Sequence, residues 1–156
     1  MRAEDQFHVG IVVDDVDATL AELTARFGYK WSDRIGGPTS VVLPTGPTEV
    51  EFSLVYSRTV PRLEIIRSVP GTIWTPVAGS GIHHIGYWCD DVDADARELE
   101  SSGFTTEAVG TQPDGRANWA YHRGPTGPRI ELMSRRLQPL LEHVWGPTDG
   151  SDEGAG

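Results

Sequence analysis

The sequence predicts an α+β fold built from two modules, each of which runs from a strand through a helix into further strands. The first observation is an internal repeat, because residues 8–23 recur at residues 84–99 with nine of sixteen positions identical. An ungapped repeat of this length indicates two copies of one supersecondary unit. The second observation is that each copy combines an apolar strand, an amphipathic helix and strand-like segments separated by Gly and Pro.

The first module is assigned to residues 6–67. Its opening strand is Phe7–Val13, and an Asp pair then caps a helix whose apolar stripe extends to Phe27, with Gly28 as its end. Turns are expected at residues 36–38 and 44–47, where Gly and Pro cluster. The strands expected after the helix are Lys30–Ile35, Thr39–Leu43, Thr48–Ser57 and Arg62–Arg67.

The second module is assigned to residues 82–134, and residues 68–81, rich in Pro, Gly, Ser and Thr, form a connector. Residues 135–146 are expected to contain a C-terminal helix, and residues 147–156 a disordered acidic tail. The elements expected in the second module are the strand Ile82–Cys89, the helix Val92–Ser102 and the strands Phe104–Gly110, Ala117–Arg123 and Arg129–Ser134.

Composition narrows the classes of function. The net charge of −10 and the absence of a basic cluster argue against nucleic-acid binding. No apolar run is long enough to cross a membrane, and the first residues lack the apolar region of a secretory signal. Cys89 is the sole cysteine, so no intrachain disulfide can form. A cytoplasmic protein is therefore expected.

Each module carries one histidine in its first strand and one glutamate in its last strand: His8 and Glu64, then His84 and Glu131. Side chains alternate along a strand, so each pair is expected on the sheet face opposite the module's helix. Two imidazoles and two carboxylates form a suitable set for one divalent metal ion. His83 competes with His84, but alignment of the repeat on its glycines selects His84.

These residues resemble the vicinal oxygen chelate superfamily, which includes glyoxalase I, methylmalonyl-CoA epimerase, extradiol dioxygenases and bleomycin-resistance proteins. The resemblance covers about residues 6–134 and implies paired βαβββ modules that curl into a cup-shaped mixed sheet around a metal. The motifs that carry it are His8-Val9-Gly10, Leu63-Glu64-Ile65, Ile82-His83-His84-Ile85-Gly86 and Gly127-Pro128-Arg129-Ile130-Glu131-Leu132.

The resemblance implies that His8, Glu64, His84 and Glu131 bind one divalent ion, with Ni, Co, Mn, Fe and Zn all compatible. It further implies proton transfer α to a carbonyl through a metal-chelated enediolate of a substrate with vicinal oxygens, with Glu131 or Glu64 as the base. The glyoxalase I and epimerase branches are the most similar. The epimerase branch usually has Gln at the second ligand position, however, and the Phe-Tyr pair of glyoxalases is absent from the first helix. The family also leads us to expect a homodimer, whose modules pair within or between chains.

Six further residues are candidates for substrate contact, because they lie in the connector or in the expected strand Ala117–Arg123 and the turn before it: Trp74, Arg116, Trp119, Tyr121, His122 and Arg123. Two alternative functions fit the same fold. The first is a small-molecule binding or resistance protein without turnover, which the five tryptophans favour as aromatic walls. The second is a metal-dependent dioxygenase, for which the fourth ligand would be one too many.

Overall fold

The computed structural model describes residues 1–146, in which eight β strands and three α helices are connected by turns and two short 3-10 segments. The predicted tail, residues 147–156, lies outside the described residues. In the first module the elements are β1 Gln6–Val13, α1 Val16–Phe27, β2 Ile35–Leu43, β3 Gly46–Tyr56 and β4 Leu63–Arg67. In the second they are β5 His84–Cys89, α2 Val92–Ser101, β6 Thr105–Thr111, β7 Ala117–Arg123 and β8 Arg129–Ser134, and α3 Gln138–Trp145 follows as the C-terminal helix.

The strands form a closed ring in the order β1-β4-β3-β2-β6-β7-β8-β5. Within each module the first and last strands are parallel, as in the β1–β4 and β5–β8 pairs. The two modules meet at two antiparallel seams, one between β1 and β5 and one between β2 and β6. The α+β fold of two βαβββ modules is therefore confirmed, and the modules pair within one chain.

The two equivalent helices begin with the same cap. The Asp15 carboxylate accepts a hydrogen bond from the backbone N–H of Ala18, and the Asp91 carboxylate accepts one from Ala94. Such a cap satisfies one of the N–H groups that an α-helix leaves unpaired in its first turn. Gly28 ends α1 in the left-handed conformation, at a φ of 74°.

The apolar face of α1 covers the outer side of the ring, where Leu20 and Leu23 pack with Ile11 and Val13 of β1. The predicted stripe is one turn too long, because Phe27 is 69% exposed in the last turn of the helix. From His8 onward the first strand therefore directs Ile11 and Val13 toward the helix and its even-numbered residues, including the histidine, into the ring.

Three predictions about the region between α1 and β3 are wrong. No strand covers residues 30–34, where Trp31 forms a single bridge to Ser57, and β2 begins only at Ile35. The predicted turn at residues 36–38 lies inside β2, because Gly36 and Gly37 adopt positive φ angles and still pair with β3. Likewise, residues 46–47 open β3 instead of extending a turn. The long partner strand β3 thus outweighs the local Gly-Pro signal.

The interior of the ring is apolar and aromatic. Trp74 of the connector is fully buried there and packs edge-on against Phe52, Trp119 and Tyr121. Helix α3 closes one side, since its Trp145 contacts Tyr56. Among residues 1–146, no helix combines the length and the apolar character that a membrane span requires.

Candidate metal centre

The two repeat histidines lie side by side at the seam between β1 and β5. His8 stands opposite Gly86 and His84 stands opposite Gly10, because the strands run antiparallel. Each imidazole ring lies over the glycine of the other module, in the space that a Cβ would otherwise occupy. The repeated His-x-Gly pattern therefore has a steric cause: each glycine makes room for the opposite histidine.

The glutamates join this pair from the flanking strands. Glu64 of β4 is in register with Gly10, and Glu131 of β8 is in register with Gly86. The Nε2 atom of His8 lies 3.4 Å from Glu64 Oε2 and 3.2 Å from Glu131 Oε2. The corresponding distances from His84 Nε2 are 3.1 Å and 3.5 Å.

All four donor atoms lie within 4.8 Å of one another, and all four side chains are buried. The Nε2 atoms of His8 and His84 approach to 2.8 Å, while Glu64 Oε2 and Glu131 Oε2 have no hydrogen-bond partner. Buried carboxylate oxygens without a partner are costly, and a shared cation offsets that cost. The four residues therefore form a group that is consistent with a divalent metal site.

The electrostatics of the four side chains agree with that interpretation. Burial lowers the pKa of His8, but the carboxylates of Glu64 and Glu131 outweigh burial and raise it to about 9. The pKa of His84 is raised for the same reason. Conversely, burial raises the pKa of both glutamates, but the two histidines outweigh it and lower each of them. The carboxylates thus stay charged, and without a metal ion the two histidines are their positive partners.

His83 lies behind the cluster and fixes the tautomer of His84. Its Nε2 lies 2.8 Å from the carbonyl oxygen of Ile73, which can only accept, so this nitrogen carries the proton. Its Nδ1 lies 3.0 Å from His84 Nδ1 and must therefore accept the N–H of His84. When His84 is neutral, as a metal ligand must be, that arrangement leaves a lone pair on His84 Nε2, the atom that faces the carboxylates. Burial and the adjacent His84 lower the pKa of His83 to about 4, so His83 stays neutral.

A cavity of about 170 Å³ opens beside the cluster, and Glu64 and Glu131 reach into it. Apart from these two carboxylates its wall is apolar or aromatic with few polar groups. The other lining residues belong to β2, β3, β4, β7, β8 and the C-terminal segment. They are Ile35, Gly36, Thr39, Phe52, Leu54, Tyr56, Ile66, Trp119, Tyr121, Met133, Leu137, Leu140 and Leu141.

Two of the predicted substrate residues, Trp119 and Tyr121, line this cavity. Trp74 does not, because it is fully buried behind them, with its ring 5.9 Å from that of Trp119 and 5.5 Å from that of Tyr121. Trp74 thus supports the wall from the rear and does not reach the cavity.

The other three predicted substrate residues lie outside the cavity. Arg116 is exposed in the turn before β7, where it pairs with Asp114. His122 is buried on the opposite face of β7 from Tyr121, as strand alternation requires. Arg123 ends β7 and lies 3.8 Å from Glu107.

The sequence interpretation missed Tyr56 as a site residue. Tyr56 pairs with Glu64 across β3 and β4, as Tyr121 pairs with Glu131 across β7 and β8. Both rings are buried edge-on to a histidine, and burial together with the carboxylates raises the pKa of both phenols well above the usual value. The alternating apolar face of β3 was the signal, since Tyr56 is its last member.

The sequence also gave no sign of the C-terminal leucines as cavity wall. Leu137, Leu140 and Leu141 cover the cavity from outside the two repeats. Their apolar spacing predicted a helix, but nothing local indicated where that helix would dock.

Comparison with known proteins points to a single superfamily. A family described as the Glyoxalase/Bleomycin resistance protein/Dioxygenase superfamily matches residues 7–122. A curated relative from Bacillus subtilis (strain 168), the uncharacterized protein YwbC, is 29% identical over 137 residues, which are 82% of this chain and 95% of the relative.

Similar solved structures include methylmalonyl-CoA epimerases. One, in complex with methylmalonyl-CoA and NH4+, has a TM-score of 0.56 at 20% identity, and the match covers 83% of this chain and 93% of the epimerase chain. Another, from Mycobacterium tuberculosis, has a TM-score of 0.56 at 18% identity, and the match covers 86% of this chain and 91% of the epimerase chain. At these identities the likeness shows the fold alone.

Proposed function

The chain belongs to the glyoxalase/bleomycin resistance protein/dioxygenase superfamily, and we propose that it is a divalent-metal-dependent isomerase or lyase of glyoxalase or epimerase type. The observation that carries the proposal is the convergence of His8, Glu64, His84 and Glu131 beside an apolar cavity. The substrate is a small molecule with vicinal oxygens, and the reaction moves a proton at the carbon α to a carbonyl.

The donor set fits one cation of the Ni, Co, Mn, Fe or Zn type. Imidazole nitrogens and carboxylate oxygens together suit these borderline metals, and two carboxylates balance a charge of +2. When bound, such an ion supplies Lewis acidity to substrate oxygens and stabilises the negative charge that develops as the α proton leaves. His84 is already held by His83 in the tautomer that such a bond requires.

The chain's own groups supply the proton transfer. Glu64 and Glu131 both reach the cavity, and one of them takes the α proton and returns it to the same or the neighbouring carbon. Tyr56 and Tyr121 stand beside them as neutral phenols and donate hydrogen bonds toward substrate oxygens. The apolar wall excludes water, which strengthens each of these interactions.

The similar proteins support the scaffold and leave the reaction to be tested. The epimerase structures are 18–20% identical to this chain, and the B. subtilis relative is uncharacterized. One fold hosts many reactions, so the assignment depends on the cluster and the cavity.

The direct test combines metal analysis with isotope exchange. Protein purified without added metal is expected to contain about one divalent ion per chain, or to bind one on titration. The loaded protein is then incubated in D2O with a panel of acyl-CoA thioesters and hemithioacetals, and deuterium at the α carbon is followed by mass spectrometry. Exchange in at least one substrate supports the proposal; absence of metal binding contradicts it.

Two variants test the base. Glu131→Gln and Glu64→Gln each keep the size of the side chain and remove its basicity, so at least one is expected to abolish exchange. Exchange at the wild-type rate in both variants would exclude a carboxylate base. Tight substrate binding without exchange would instead favour the sequestering alternative, and O2 consumption would favour a dioxygenase.

Two broader predictions belong with this proposal. We propose that the protein is a homodimer, which light scattering coupled to size-exclusion chromatography checks. We also propose a cytoplasmic location, which fractionation of the source cells checks.

A further inference from the structure

We propose that the group of the substrate that lies beside the cluster is uncharged and apolar, of about the size of one aromatic ring. This inference rests on the proposed function, since it concerns the same cavity. A chelating group with two adjacent oxygens and an apolar remainder is accepted, whereas a dianionic group without an apolar part is rejected.

The first argument is charge. Among the described residues that line the cavity, only Glu64 and Glu131 are charged. A divalent ion bound by these two carboxylates and two neutral imidazoles has a net charge of zero. An additional carboxylate on the substrate would thus be buried against an apolar wall without a cation to offset its desolvation. The net charge of −10 opposes an anionic substrate at longer range.

The second argument is size. The cavity measures about 170 Å³. An apolar protein cavity of about 150 Å³ accommodates benzene. The space beside the cluster therefore holds one ring or a branched acyl group of similar volume, while a longer substituent must extend through the opening.

The third argument is the chemistry of the wall. Phe52 and Trp119 face the cavity in an edge-on arrangement, with ring centroids 6.1 Å apart. Leu54 and Met133 complete a surface that offers mainly dispersion contacts. The polar groups near the cluster, Tyr56 among them, can hydrogen-bond to substrate oxygens, and the rest of the substrate group beside the cluster lies in an apolar environment.

The test uses three chelators that share adjacent oxygens and differ in the rest of the molecule. Full-length protein loaded with Co²⁺ is titrated with benzohydroxamic acid, acetohydroxamic acid and oxalate, and the visible absorption of Co²⁺ reports binding. Because the phenyl ring is buried in the wall, benzohydroxamic acid is expected to bind at least about tenfold more tightly than acetohydroxamic acid. Oxalate, a dianion without an apolar part, is expected to bind most weakly.

Wall variants separate the cavity from the metal. Leu54→Lys places a cation in the wall and is expected to strengthen oxalate binding about tenfold while weakening benzohydroxamic acid. Val42→Lys is the matched control, because Val42 is 43% exposed and does not line the cavity. If Leu54→Lys does not fold, Phe52→Ala serves instead and is expected to reduce the preference for the phenyl ring.

The outcomes are distinct. Failure to bind Co²⁺ overturns the proposed function and this inference with it. Binding of Co²⁺ with oxalate preferred, or with no preference for the phenyl ring, overturns the inference and leaves the proposed function intact.

Discussion

Replacement of His83 tests whether a residue behind the cluster controls metal binding. His83→Leu removes the acceptor for the Nδ1–H of His84, which lies 3.0 Å away in a fully buried environment. The tautomer that offers Nε2 to a cation then leaves a buried N–H without a partner. We therefore expect the variant to fold and to bind the metal more weakly.

The magnitude follows from that one lost partner. An unsatisfied buried donor costs about 1–3 kcal/mol. At 1.36 kcal/mol for each factor of ten, the metal Kd should rise by roughly 5- to 150-fold. This range overlaps the loss of about 10- to 100-fold that is typical when a partner of a ligating histidine is removed.

The assay is competition between the protein and a chromophoric chelator for Zn²⁺ or Co²⁺. His83→Asn is the rescue variant, because its amide oxygen can accept from His84 in place of Nδ1, and it should recover most of the affinity. His143→Leu is the matched control, since it removes an exposed histidine of α3.

A second readout follows the tautomer itself. Nitrogen NMR of His84 should report a protonated Nδ1 in the wild type and in His83→Asn, and a mixture in His83→Leu. An unchanged metal Kd in His83→Leu, with the fold intact by circular dichroism, would refute the reasoning and reduce His83 to a packing residue.

Three further predictions address the seam, the pH dependence and the C-terminal helix. Gly86→Ala places a methyl group where the ring of His8 lies, so the ring must move. Metal affinity should fall by at least about tenfold, while the circular dichroism spectrum stays unchanged. Wild-type metal affinity in this variant would contradict the steric role of the glycine. In the metal-free protein burial lowers the pKa of His8, but Glu64 and Glu131 outweigh burial and raise this pKa from 6.5 to about 9. The stabilisation of the fold by the charged His8 is therefore complete below pH 6.5 and is lost as the pH rises through about 9. Thermal unfolding should accordingly show a Tm that falls between pH 6.5 and about 9 without metal and falls much less with Zn²⁺. An equal fall of Tm with and without Zn²⁺ would argue against a charged His8 beside the two glutamates. Trp145→Ala removes a side chain that is 6% exposed and packs with Leu141, so urea denaturation should show a loss of about 3–5 kcal/mol, whereas Leu140→Ala, at a position 60% exposed, should cost far less.

Much of the site could be predicted because the repeat is local in sequence. The spacing His-x-Gly at the start of each module and one Glu in each last strand are visible without coordinates, and alternation assigns each pair to one face. Alternation failed to exclude His122, because a single strand does not reveal which of its faces meets the cavity. The turn predicted at Gly36 failed for a related reason, since pairing with a distant strand decided its conformation.

The sequence by itself determined the duplication, the fold class and the four residues of the cluster, because each depends on patterns within a few dozen residues. The tertiary structure decided how the copies meet. Antiparallel pairing of β1 with β5 lays each histidine over the glycine of the other copy. The fold of the connector brings the carbonyl of Ile73 to His83, which turns a rejected ligand candidate into the partner of His84. Contacts between residues that are far apart along the chain depend on how the whole ring closes, and no local pattern specifies that geometry.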